Sequence, residues 1–296
     1  MVSGPHKDKK WLGYTLYVVL VTTALLYYLF PAQSAEEFLN SRVRRINQDL
    51  LFKAGNIKPW IPSGMRISGC NIFLGNMNVP IFYADTFYVG PQILKFVKGE
   101  YVFDLQGMAY GGDLAGTIHF TDKNAGTVAG DLIFNDVLLQ KYAFLTEKFE
   151  HRLIGRLSGE IVYDSDTAGK KGGGGRLELK LSDGQLQFKE PLFDIVSVDL
   201  QNIRMEAQLS RGELTITKAE LNGSDVNGTM TGSILLHKDI NLSQINLKGT
   251  LEPQAAFYQK YPDVRDLLKT VKKRVRRGQY SFAVTGTLGD PEFRLL

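Results

Sequence analysis

Two stretches of this chain carry one spacing, Leu-x-Gly-x4-Gly-x3-Gly-x-Ile. The first is Leu105, Gly107, Gly112, Gly116 and Ile118; the second, 116 positions on, is Leu221, Gly223, Gly228, Gly232 and Ile234. Self-similarity at a fixed offset is the mark of a repeated structural unit, so it narrows the fold before propensities are weighed. A shorter core, apolar-x-Gly-x-apolar, recurs around Gly116, Gly130, Gly159, Gly232, Gly249 and Gly286.

Apolar residues two apart with polar ones between them describe a half-buried strand. That alternation is clean at Leu177/Leu179/Leu181, Ile203/Met205/Ala207/Leu209, Leu214/Ile216 and Tyr280/Phe282/Val284. In each short motif the glycine falls on the apolar face. A glycine inside a strand leaves no side chain to pack and marks a bend, a bulge or a close backbone approach. The glycines then either curl the sheet, or let a helix settle on it, or serve as ordinary core spacers. The expected fold is mainly β with a few helices: a curled, mostly antiparallel sheet after one N-terminal transmembrane helix, with an internal duplication.

The transmembrane reading rests on Trp11 to Phe30, which carries no charged residue. Twenty residues of helix span about 30 Å, the thickness of a bilayer's hydrocarbon core. Trp11, Tyr14 and Tyr17 sit near one end and Tyr27, Tyr28 and Phe30 near the other, where amphipathic rings favour the interface. Lys7, Lys9 and Lys10 precede the span, which puts the N-terminus in the cytoplasm and the body beyond the membrane. The rival is a cleaved signal peptide ending at Ala32-Gln-Ser34, against which the apolar run is longer than such peptides carry.

The chain divides into a cytoplasmic tail (1–10), the span (11–30), a linker helix (31–55), a first β-rich repeat (56–164), a flexible Gly-rich loop (165–175) and a second β-rich repeat (176–296). Ser34 and Glu37 form a capping box for the linker helix, whose Arg42, Arg44 and Arg45 oppose an apolar stripe. The first repeat holds a helix near 136–151, with Asp136 as its cap; the second holds helices near 253–277, divided at Pro262.

Reactive chemistry is not legible. A single cysteine, Cys70, allows no internal disulfide, and the four histidines lie at no metal-binding spacing from one another or from Cys70. The run Gly172–Gly175 lacks the Gly-Lys-[Ser/Thr] of a phosphate loop, and no Gly-x-Ser-x-Gly elbow occurs. No cofactor is expected, and the reading is non-enzymatic; a hydrolase would need a Ser/His/Asp cluster assembled by the fold. The net charge of +4, with both signs interspersed, argues against a nucleic-acid binder. Lys269, Lys272, Lys273, Arg274, Arg276 and Arg277 form either a solvated helix end or a contact for anionic lipid or an acidic partner.

The span ending in Phe30-Pro31, the Gly-punctuated β body and the closing Gly286-Thr-Leu-Gly-Asp-Pro-Glu-Phe-Arg-Leu295 resemble the type II secretion system protein N (GspN) family of bacteria, itself related to AsmA-like inner-membrane proteins. The resemblance implies a body in the periplasm, an inner-membrane anchor, and other subunits of the secretion machinery as partners, the chain acting as a scaffold in the export of folded proteins. The AsmA-like relation implies the alternative, a module that binds or transfers phospholipid by holding acyl chains in a concave apolar groove.

Overall fold

The computed structural model describes residues 9–46, 48–61, 63–75, 78–120, 128–144, 152–165, 173–192, 195–237, 239–263 and 278–296. Its body is one antiparallel sheet of fifteen strands. Helix α1 (Lys9–Tyr28) leads through Phe30-Pro31 into α2 (Ala32–Ile46). Then come β1 (Leu50–Lys53), β2 (Asn56–Pro59), β3 (Met65–Leu74), β4 (Phe82–Pro91), α3 (Ile93–Val97), β5 (Tyr101–Ala109), β6 (Gly112–Phe120), β7 (Val128–Leu138) and β8 (Arg152–Asp164). The second part holds β9 (Gly174–Leu192), β10 (Ile195–Ser210), β11 (Glu213–Asn222), β12 (Val226–Leu235), β13 (Gln244–Pro253), α4 (Ala255–Lys260), β14 (Tyr280–Gly286) and β15 (Pro291–Leu295).

From β3 to β15 every strand pairs with its neighbour in sequence, and β1 and β2 together cover the outer edge of β3. Local chemistry drives this meander. The β5–β6 turn is Tyr110-Gly111 and the β10–β11 turn is Arg211-Gly212, all four residues at positive φ; such two-residue turns match the right-handed twist of the strands they join.

The two copies of the long glycine motif fall on two hairpins, β5–β6 and β11–β12, but in different registers. Leu105 faces Gly116, whereas Leu221 faces Gly228. The second hairpin closes earlier, where the Gly223 N–H donates to the Val226 carbonyl. The shared spacing therefore carries no shared residue pairing.

Several sequence expectations are corrected. The helix expected near 136–151 does not start at Asp136: β7 runs through that residue to Leu138, a 3-10 turn follows at Leu139–Lys141, and the chain is helical at Ala143 and Phe144. Asp136 sits at φ 54°, the extra residue of a bulge between Phe134 and Val137. Short polar side chains tolerate that conformation, so an Asp before an apolar run reads the same for a cap or a bulge. Residues 145–151 lie outside the described residues. In the loop expected at 165–175, Gly174 and Gly175 already belong to β9, and 166–172 lie outside; β9 pairs directly with β8, so the sheet is unbroken there. The linker helix begins at Ala32, before Ser34, and β1 starts at Leu50, inside the linker range. Of the helices expected over 253–277, α4 is present, and 264–277 lie outside.

The expected span also changes. Helix α1 ends at Tyr28, and Phe30 instead packs into the core of the body. Among the described residues no helix is long and apolar enough to cross a membrane. Tyrosines 14, 17, 27 and 28 and threonines 15, 22 and 23 dilute the aliphatic run of α1.

Candidate functional site

Pairing sets the faces of the sheet, because residues directly opposite one another on neighbouring strands point the same way. Followed strand by strand from β3 to β15, one line runs Met65, Val89, Leu105, Gly116, Leu132, Ile161, Leu177, Ala207, Ile216, Gly232, Leu247, Val284 and Phe293. A parallel line runs Ile67, Phe87, Gly107, Leu114, Phe134, Gly159, Leu179, Met205, Ala219, Met230, Gly249, Phe282 and Leu295. Neither line contains a polar side chain. At about 4.8 Å per strand the lines extend roughly 55–60 Å along the sheet. The reverse face carries lines such as Lys180, Arg204, Glu220, Thr229, Thr250 and Ser281. Its ion pairs, Arg176–Glu178 at 3.3 Å and Lys218–Glu220 at 3.0 Å, are exposed and contribute little to stability.

The glycines singled out by sequence have definite places here. Gly107, Gly116, Gly159, Gly232 and Gly249 lie in the two apolar lines, each between larger side chains of the flanking strands; Gly249, for example, stands between Met230 and Phe282. Gly130 and Gly228 occupy adjacent positions on the same face, between Ile118 and Tyr163 and between Leu221 and Leu251. Gly112, Gly223 and Gly286 stand beside turns. A Cβ at Gly130 would come within 2.5 Å of the Thr117 carbonyl oxygen, and one at Gly107 within 2.7 Å of that of Thr86. The backbones approach too closely there for any side chain.

A sheet apolar on one side must be covered on that side, and the apolar side chains here gather into three clusters, two of them with a helix. At the β1–β4 end, α2 lies on the face: Phe30, Ala32, Ala35, Leu39 and Val43 pack around Phe52, Ile57, Ile67, Cys70 and Ala84. The helix is oriented by two hydrogen bonds, the Ala54 N–H donating to Glu36 Oε1 at 3.0 Å and the Phe52 N–H to Asn40 Oδ1 at 3.1 Å. A second cluster joins Phe257, Tyr258 and Tyr261, from α4 and just after it, to Phe188, Ile195, Val198 and Val226. Further along β9, β10 and β12 lies a third, made of Ala207, Ile216, Ala219, Ile245 and Leu247, with Leu177, Met205, Leu214, Met230, Ile234 and Val284 around it. Every one of its members is a strand residue of β9–β14. Among the described residues no helix joins it.

The α4 cap is latched electrostatically. Lys260 Nζ lies 3.2 Å from Oδ2 of Asp225, a buried carboxylate at the β11–β12 turn that also accepts from the Asp199 N–H at 2.9 Å. Burial lowers the Lys260 pKa, but the hydrogen bond and charge of Asp225 outweigh it and leave the group above its ordinary value. Sequence alone could not pair these two groups. Likewise Arg42 is not a freely solvated cation: its guanidinium stands 5.1 Å from the centre of the Phe38 ring, and its buried Nη1 has no hydrogen-bond partner among the described residues. Arg44 is exposed.

Cys70, 4 % exposed, reports on the α2 end. Burial raises its thiol from 9.0 to about 11. A folded-state pKa raised in this way gives stability that is whole below pH 9. It is lost as pH climbs through 9 towards 11, because the unfolded chain releases the proton first. The expected result is a denaturation midpoint that falls over this window, with a shallower fall in Cys70→Val. A Cys70→Val profile as steep as the parent's would contradict it.

The remaining sequence candidates are not brought together. Trp11, Tyr14, Tyr17, Tyr27 and Tyr28 stand exposed along α1. Lys269, Lys272, Lys273, Arg274, Arg276 and Arg277 lie outside the described residues. Among the described residues, no three His, Cys, Asp or Glu side chains are placed to hold a metal ion.

Comparison with protein-family models, with curated proteins and with solved structures finds no match. The site must therefore be read from its own geometry.

Proposed function

We propose that this chain is a membrane-anchored, non-enzymatic lipid-binding module, in which the sheet curls around its apolar face to form a trough for acyl chains. The observation that carries the reading is the pair of uninterrupted apolar lines, together with the β9–β14 cluster, which draws on strands alone. Burying an acyl chain against such a surface stabilises it by about 0.8 kcal/mol per methylene, and the absence of polar side chains in the lines leaves no group to be desolvated at cost. Glycines that bring neighbouring backbones together supply the inward bend.

The anchor in this reading is α1, with its N-terminus cytoplasmic and the body in the periplasm of a bacterium. Leu16, Tyr17, Val18, Val19 and Leu20 are consecutive and exposed, so apolar surface faces outward all round the helix, as in a lipid-facing segment. Thr15 and Thr23 donate their hydroxyls to the carbonyls of Trp11 and Val19, which satisfies those polar groups within the helix.

A second reading, a platform for subunits of a type II secretion machine, is favoured by β15. The two apolar lines end there at Phe293 and Leu295, 56 % and 43 % exposed. Because the Leu296 N–H donates to the Ser281 carbonyl, the alternation of the ladder turns the N–H and C=O groups of 293 and 295 away from β14. Such an edge can accept another strand.

One experiment weighs both. A photo-crosslinking amino acid is placed at Met230, at Thr229 on the reverse face, or at Phe293, in the full chain in native membranes. The trough reading expects phospholipid adducts at 230 and none at 229. Protein adducts at 293 with no lipid at 230 would overturn it in favour of the platform.

A further inference from the structure

One end of the sheet carries an apolar surface that the fold leaves uncovered. The β2–β3 turn and the β4–β5 connection both lie there, since Met65, the first residue of β3, pairs with Val89 near the end of β4. The turn is closed by the Trp60 N–H donating to the Gly64 carbonyl at 2.9 Å and held against β4 by the Trp60 and Tyr88 rings, which meet edge to face at 4.6 Å. Helix α3 is fixed by Phe96, whose ring meets those of Tyr101 at 5.1 Å and Phe103 at 5.7 Å. That contact turns the rest of the helix outward. Leu94 and Val97, one turn apart, are 82 % and 83 % exposed; Ile93 of the same helix, and Trp60 and Ile61 at the β2–β3 turn, are exposed at this end of the sheet too.

Isolated surface leucines need no explanation, but five large apolar side chains exposed at one end of a sheet, a tryptophan among them, do. Two further observations say what covers them. The first is charge: Lys58, Arg66, Lys95 and Lys98 are exposed at this end of the sheet and outnumber its acids, Asp104 and Glu100. The second is position. The hydrogen bonds from Phe52 to Asn40 and from Ala54 to Glu36 run α2 antiparallel to the β1–β2 segment. Its first residues, and the end of α1, therefore arrive beside β2, which α1 touches.

We propose that this end of the sheet is a membrane-docking surface, on which Trp60, Ile61, Leu94 and Val97 enter the headgroup region of an anionic phospholipid bilayer beside α1. Trp, aliphatic and Lys side chains on one surface are the composition that settles at the interface. The lysines draw the surface to anionic lipid, and the apolar side chains hold it there. The trough would then open onto the bilayer surface and not stand off it. This proposal rests on the anchor reading of α1, and the test separates the two.

The chain has two tryptophans, so Trp11→Phe leaves Trp60 as the single reporter and Trp60→Phe leaves Trp11. The full chain is reconstituted into vesicles of phosphatidylethanolamine and phosphatidylglycerol, with lipids brominated near the headgroup or near the chain end. Trp60 is expected to lose about half its emission to the shallow bromines and little to the deep ones, as befits side chains about 5–10 Å into the boundary. Leu94→Glu/Val97→Glu should abolish that quenching while leaving Trp11 unchanged. Unquenched Trp60 with quenched Trp11 overturns the docking surface and spares the anchor. Quenched Trp60 with unquenched Trp11 supports the docking surface and overturns the anchor; neither quenched overturns both.

Discussion

Gly232→Val is expected to destabilise the protein by about 3 kcal/mol or more. Gly232 lies in the first apolar line between Ile216 and Leu247, at φ +141°. A Cβ there would press on the Asn246 carbonyl oxygen and stand 2.8 Å from the Leu247 Cα. Both obstacles are backbone, so no rotamer change relieves them. Backbone strain costs about 1–3 kcal/mol and overpacking a similar amount, against a total stability of about 5–15 kcal/mol for a typical domain. The comparison is Gly212→Asn: φ is again positive, +79°, but nothing lies within 4 Å, and asparagine tolerates that region. Its denaturation midpoint should stay close to that of the parent. Equal shifts for the two variants would mean that φ alone, and not the approach of neighbouring strands, is what the glycine serves.

The same contrast explains what could be read in the amino-acid sequence. Period-two alternation around Leu177–Leu181 and Ile203–Leu209 identifies strands because each residue's face is fixed by its own backbone. Which residues line up across strands depends on turn lengths, and here single residues decide. The turn at Tyr110-Gly111 puts Leu105 opposite Gly116, while the earlier closure at Gly223–Val226 puts Leu221 opposite Gly228. Identical motifs therefore acquire different partners. Asp136 reads as a helix cap in the sequence, and the contact that makes it a bulge residue, Ser158 Oγ accepting its N–H at 3.0 Å, comes from the next strand. Helix α3 is five residues long, too short to show a helical period, so Leu94 and Val97 read as part of a broken strand region. The Lys260–Asp225 pair joins groups 35 residues apart; only the packing of α4 brings them together.

The cover supplied by α2 is expected to be separable from the sheet. Leu39→Asp places a carboxylate where a leucine packs among Phe52, Ile67 and Ala84. Losing the leucine contact costs about 2–4 kcal/mol, and a charge left on the apolar face must be hydrated by lifting the helix away. The strands beneath are paired to one another and not to α2, so the sheet can persist while the helix departs, a local opening short of global unfolding. Cys70 reads this directly. Buried, its thiol is shielded and rarely ionised; uncovered, it returns towards its ordinary 9.0 and becomes reachable. Its rate of modification at pH 8 should rise about a hundredfold, the equivalent of roughly 2.7 kcal/mol of opening, with the β-sheet circular dichroism signal retained. Arg44→Ala, on the exposed side of α2, should leave the rate unchanged. If Leu39→Asp exposes Cys70 only when the sheet signal also collapses, α2 is part of the folding core. The apolar face would then be closed at that end for good, and any acyl chain would have to enter between β9 and β15.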